Sequence, residues 1–276
     1  MADELERARK ALRDLSKTLR SMPGDPAPKA VHKLRTAARR VEAIAAVLAQ
    51  VEGKESRRLL KSIEPVRKAA GGVRDMDVLM GNARKLTRYA AGDSLARLVE
   101  QLRIARQHHA EQLRRAMDRR RDAARKHLKD YSRLVRTAMT PAKGTAPTGD
   151  PLGHAHEGVL AAAQNVVREL GEWPPLNAEN IHEFRLKVKE LRYVLQLADD
   201  ADQGLLDALG NVQRRVGDWH DWQQLDEMAR EILNPERDGA LLARISETAK
   251  RKFKLALTAA NGLRGKYLAM PIAQGA

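Results

Sequence analysis

Apolar residues along this chain recur at helical spacing almost throughout, and no segment alternates apolar and polar in the two-residue rhythm of a half-buried strand. Proline and glycine clusters cut the pattern into elements. A first helix is predicted over about 3–21, closed by Ser21-Met22-Pro23-Gly24-Asp25-Pro26, and a second over about 27–50. Gly53 and the pair Gly71-Gly72 bracket a third, while Gly81 and Gly92 fall near a fourth. From Asp93 to Thr140 there is neither Gly nor Pro, and Leu95, Leu98, Leu102, Leu113, Met117, Leu128 and Tyr131 mark one long helix. Arg119-Arg120-Arg121 interrupts its stripe and predicts a bend or a change of packing partner there. The segment 140–151, rich in Pro, Gly and Thr, reads as a linker. Helices then resume over about 152–171, 178–199, 202–216, 219–233 and 239–262.

One helix occurs twice. Val31-His32-Lys33-Leu34-Arg35 returns as Ile181-His182-Glu183-Phe184-Arg185, with His32 and His182, Arg35 and Arg185, and Arg39 and Lys189 each 150 residues apart. The apolar positions keep that offset: Val31, Leu34, Ala38, Val41 and Ala45 answer to Ile181, Phe184, Val188, Leu191 and Leu195. The predicted fold is therefore all-α, two antiparallel helical bundles related by internal duplication, with repeats over 1–139 and 152–276.

At about 100° per residue, positions i, i+3, i+7 and i+10 fall on one narrow strip of a helix. His32, Arg35 and Arg39 fill three places of that strip, and His182, Arg185, Lys189 and Arg192 fill all four. The apolar stripe runs one residue earlier at each step, so the basic strip borders the core. Such placement suits phosphate: Arg offers a planar fork of donors, Lys a compact charge, and His a donor whose charge rises as pH falls. A charged helix face is more commonly just solvated. Against that, Lys33 faces Glu183 and Arg40 faces Glu190 across the repeat, so charges outside the strip have diverged while those within it agree.

Charge distribution sharpens this picture. The net charge is +15, yet residues 151–276 carry 16 Lys and Arg against 18 Asp and Glu, which leaves 35 against 18 in the first 150. That polarity favours a polyanionic partner such as nucleic acid, an anionic surface or an inorganic polyanion. Aromatics make up 3% and argue against single-strand stacking recognition. With no cysteine, no signal-like start and no apolar run of about 20 residues, the expectation is a cytoplasmic chain without a membrane span.

The strips, together with Gly71-Gly72-Val73-Arg74-Asp75-Met76-Asp77 and Gly217-Asp218-Trp219-His220-Asp221, resemble the two signatures of the CHAD domain (conserved histidine α-helical domain). These are the H-x-x-R-x-x-x-[RK]-x-x-R helix and a later L-G-x-x-[RH]-D turn, and the resemblance covers about 3–265. It implies two four-helix bundles with pseudo-twofold symmetry around a basic central cavity, and binding of inorganic polyphosphate at polyphosphate granules. It assigns that binding to His32, Arg35, Arg39, His182, Arg185, Lys189 and Arg192. Position i+10 of the first strip is Glu42 where the family has a cation, and Arg40 is the expected substitute. An accompanying triphosphate-hydrolysing CYTH domain would need an E-x-E-x-K strand; Glu4-Leu5-Glu6-Arg7-Ala8 lacks the lysine and reads as helix, so the chain reads as CHAD alone.

Other constellations carry less. Arg74-Asp75 and His220-Asp221 are expected to open helices, with the acids favourable in the first turn. His154 and His156 point apart on a helix with no carboxylate cluster, and no nucleotide loop or nucleophile elbow is present. Neither catalysis, cofactor nor metal is expected. Residues 97–136 hold 13 Lys and Arg against 5 Asp and Glu, a face that either extends a polyanion track or solvates the bundle. The leading function is non-enzymatic polyphosphate binding; the alternative is a nucleic-acid binder that contacts backbone phosphates.

Overall fold

The computed structural model describes residues 2–48, 53–88, 92–138, 163–195 and 202–268. These are helical and turn segments, with no strand among them. Packing divides the chain into two units, Met1–Thr145 and Ala146–Ala276. The expected linker, most of the expected helix over about 152–171, and His154 and His156 lie outside the described residues.

In the first unit, α1 (Ala2–Ser21), α2 (Pro28–Leu48), α3 (Gly53–Arg84) and α4 (Asp93–Ala138) pack in a ring: α1 on α2, α2 on α3, α3 on α4, and α4 back on α1. The 3.6-residue periodicity of each helix aims one apolar stripe at a shared core. Leu12, Leu15 and Leu19 meet Val31, Leu34 and Val41, Leu59, Ile63 and Val66, and Leu113, Met117 and Tyr131. Each fully buried Leu, Ile or Met contributes about 1.5–3 kcal/mol relative to an exposed one. Gly92 precedes α4 at φ 147°, a conformation that favours glycine because it lacks Cβ.

The second unit holds α5 (described over 163–171), α6 (Ile181–Leu195), α7 (Gln203–Ile232) and α8 (Pro235–Leu263), the last running into a π-helical turn, Arg264–Leu268. Its core joins Val166 and Leu170 of α5, Ile181, Phe184, Val188 and Leu191 of α6, Leu209, Val212 and Val216 of α7, and Ala256 and Ala260 of α8. Asn177 starts the rise into α6, its side-chain oxygen accepting from the amides of Glu179 (2.9 Å) and Asn180 (3.1 Å). Asn180 returns the bond to the Asn177 amide at 2.9 Å. Asn234 caps α8 in the same way, so the helix begins at Pro235, four residues before the expected start, and Asp238 accepts from the Asn234 amide at 3.0 Å.

Three expectations are corrected. Gly71-Gly72 does not end a helix: α3 runs 32 residues through it and through Pro65. Gly217 likewise lies inside α7, so the two helices expected over about 202–216 and 219–233 are one. Consequently Arg74-Asp75 and His220-Asp221 sit in mid-helix and cap nothing. Interior glycine costs a helix only about 1 kcal/mol against alanine, which packing on neighbouring helices readily offsets. The long helix is continuous through Arg119–Arg121 over all 46 residues. Arg121 takes the place between Met117 and Ala124 in the buried stripe, half-buried itself.

Among the described residues, no helix is long and apolar enough to cross a membrane.

Candidate anion-binding site

The apolar stripe of α2 (Val31, Leu34, Ala38, Val41, Ala45) is fully buried and clamps the helix in one rotation. That rotation turns the strip next to the core toward α3. Arg35 and Arg39 are half-buried there, while His32 is exposed at the start of the strip. Arg40, about 100° away on the helix wheel, points outward and is exposed.

Facing the strip, α3 presents Arg67, Gly71, Arg74 and Asp75 at i, i+4, i+7 and i+8, one face of a helix. Gly71 makes the close approach possible, since a Cβ there would stand 2.9 Å from Nη1 of Arg35. Its neighbour Gly72 serves the other side of α3, where a Cβ would stand 2.6 Å from Nδ1 of His109 on α4. Burial and the nearby Arg39 hold the pKa of Arg35 below the usual arginine value. Asp75 opposes that shift, and Arg67 and Arg74 add further repulsion. Arginine remains charged at neutral pH under such a shift, so this is a knot of like charges partly removed from water. Glu42 does not leave its end of the strip without a cation: Nε of Arg67 donates to it from α3.

Arg106 of α4 holds the entrance to α2. Its Nε donates to Asp77 of α3 at 2.6 Å and its Nη2 to the carbonyl of Pro26 at 2.7 Å. With Asp77 only 4% exposed, this is a buried ion pair that fixes the turn before His32.

In the second unit α6 repeats the strip against α7. His182, Arg185, Lys189 and Arg192 are all half-buried. Arg185 Nε donates to the backbone carbonyl of Gln213 at 3.2 Å, and Arg192 Nη1 donates to the Gln213 side-chain oxygen at 3.2 Å. Gly217 lies under Arg185, where a Cβ would be 3.3 Å from Nη2, and Gly210 lies under Arg192. The rings of His182 and His220 are 5.0 Å apart, and Nδ1 of His182 is buried without a hydrogen-bond partner. Lys252 of α8 donates to Asp218 at 2.6 Å, tying α8 to α7 beside Gly217.

The facing residues Arg67 and Gln213 were not singled out in the sequence. The signal was there: Arg67, Gly71, Arg74 and Asp75 match Gln213, Gly217, His220 and Asp221, each 146 positions on. Between 97 and 136, the acids of arginine-rich α4 are all paired along the helix, which leaves most of its positive charge unanswered there. Glu100, Glu111, Asp118, Asp122 and Asp130 all pair with arginines three or four residues away. Held by two arginines, Glu111 has its pKa lowered to about 2. Among the described residues no group of three or more His, Asp or Glu is placed to hold a metal ion.

The arrangement gives each unit a rigid, partly desolvated set of guanidinium and imidazole donors on two facing helices, a surface fitted to phosphate oxygens. No curated protein matches the chain. The CHAD domain family matches residues 5–230, from α1 to near the end of α7 and across both strips, and the chain belongs to that family.

Proposed function

We propose that this chain binds inorganic polyphosphate without catalysing its turnover, through His32, Arg35 and Arg39 in one unit and His182, Arg185, Lys189 and Arg192 in the other. The observation that carries the reading is Arg35, half-buried among Arg39, Arg67 and Arg74, with Asp75 opposing their repulsion. Such a knot is relieved by an anion that spreads several negative charges along the helix faces, and a phosphate polymer does so at every residue. CHAD domains are linked to polyphosphate binding in general, which agrees with that chemistry. The finer architecture belongs to the same proposal: two four-helix-type bundles related by duplication around a basic central cavity, in a cytoplasmic protein at polyphosphate granules.

Competition of long-chain polyphosphate against duplex DNA at near-physiological salt tests the reading. Wild-type protein is expected to prefer polyphosphate, and the combined change Arg35→Glu, Arg39→Glu, Arg185→Glu and Lys189→Glu to abolish that binding. Preference for DNA would favour the nucleic-acid alternative, and undiminished binding by the quadruple variant would remove both strips from consideration.

A further inference from the structure

The first strip departs from the second at its fourth place, where Glu42 stands opposite Arg192. The facing helices depart at the matching place, with Arg67 in α3 and Gln213 in α7. In each unit those two positions touch, Arg67 donating to Glu42 and Arg192 donating to Gln213. One substitution looks like a lost cation; the pair looks like a cation moved across the helix interface. We infer that Arg67 is the fourth phosphate-contacting residue of the first strip, delivered from α3, and that Glu42 is its positioning residue. The inference rests on the polyphosphate reading above and assigns a contact that reading alone does not require.

The hydrogen bonding supports a contact role. Glu42 engages Nε of Arg67, and neither terminal Nη group has a protein partner among the described residues. A guanidinium held by its Nε side keeps the Nη1–Nη2 edge free, the edge that grips two phosphate oxygens at once. The side chains are 23% and 25% exposed, so the pair lies at the mouth of the helix interface and not out on the surface. Arg67 also lies close enough to Arg35 to repel it, which places the two cations along one track. Arg40, on the outer face, cannot take part without leaving its side of α2.

Transposing the charges tests this. In the full chain, Glu42→Gln with Arg67→Gln removes both charges, and Glu42→Arg with Arg67→Glu moves the cation to α2, where the second unit carries it on α6; both leave net charge unchanged. Binding of labelled long-chain polyphosphate is followed across a salt series, with thermal unfolding to verify that each variant folds. The neutral double variant is expected to bind about tenfold more weakly, the loss of one charge-assisted contact. Its slope of log affinity against log salt should fall by about 0.7–0.9. The transposed variant is expected to recover both affinity and slope. If the neutral double variant matches wild type in both, Arg67 is only an interhelical tie and the inference fails while the polyphosphate reading stands. If wild type itself ignores polyphosphate, the reading fails and takes the inference with it.

Discussion

The two strips reach the same excess of positive charge by different routes. Around α2 and α3, Arg35, Arg39, Arg67 and Arg74 stand against Glu42 and Asp75; around α6 and α7, Arg185, Lys189 and Arg192 stand against Asp221. Both leave two positive charges in excess at neutral pH. The first is all guanidinium, crowded and tempered by carboxylates. The second has fewer fixed charges, anchors Arg185 and Arg192 to Gln213, and sets two imidazole rings 5.0 Å apart. A helix pair can therefore keep its net charge while exchanging which helix carries it.

The anchoring of the two motif helices differs most, and there the largest effect is expected. Arg106→Met would leave Asp77 charged and buried, at a cost of about 3–5 kcal/mol. Asn177→Ala, which removes only the cap of α6, should cost about 1 kcal/mol. Chemical denaturation of the two variants compares them, and equal costs would show that the buried pair is not what holds α2.

Next in size is disabling one strip at a time. Arg35→Glu with Arg39→Glu, and Arg185→Glu with Lys189→Glu, should each weaken polyphosphate binding by about a hundredfold or more, each losing two charge-assisted contacts. The two losses should agree within about threefold, because the charge excess is equal. A much larger loss from one pair would break the equivalence.

The smallest effect concerns the glycines. Gly71→Ala should push the Arg35 guanidinium aside and weaken binding a few-fold, while the helix itself gains up to about 1 kcal/mol. Gly217→Ala meets Arg185 at the looser 3.3 Å and should disturb binding less. Paired melting curves and binding isotherms would read both; a loss of stability at Gly71 without a loss of affinity would reverse the assignment.

The faces of the motif helices were legible in the sequence. Val31, Leu34 and Val41 announced the buried stripe by their spacing, and His32, Arg35 and Arg39 followed from it by rotation alone. What one helix cannot show is its neighbour. Gly71-Gly72 and Gly217 read as breaks because glycine is a poor helix former, whereas they sit in mid-helix where side chains from adjacent helices press close. The same blindness made Glu42 look like a defect, since its compensation, Arg67, lies 25 residues away in sequence and one helix across in space. Arg40, adjacent in sequence, was the wrong side of the cylinder.

The ladder of acid–arginine pairs along α4 bears on the order of folding. Acid–arginine pairs three or four positions apart recur along its 46 residues, whereas α2 reaches its place only after the chain closes on α3 through long-range contacts. Local contacts form on the sub-microsecond to microsecond scale, well ahead of long-range docking. α4 is thus positioned to exist first, at about 69 Å from end to end, as the template on which the other three helices of its unit assemble.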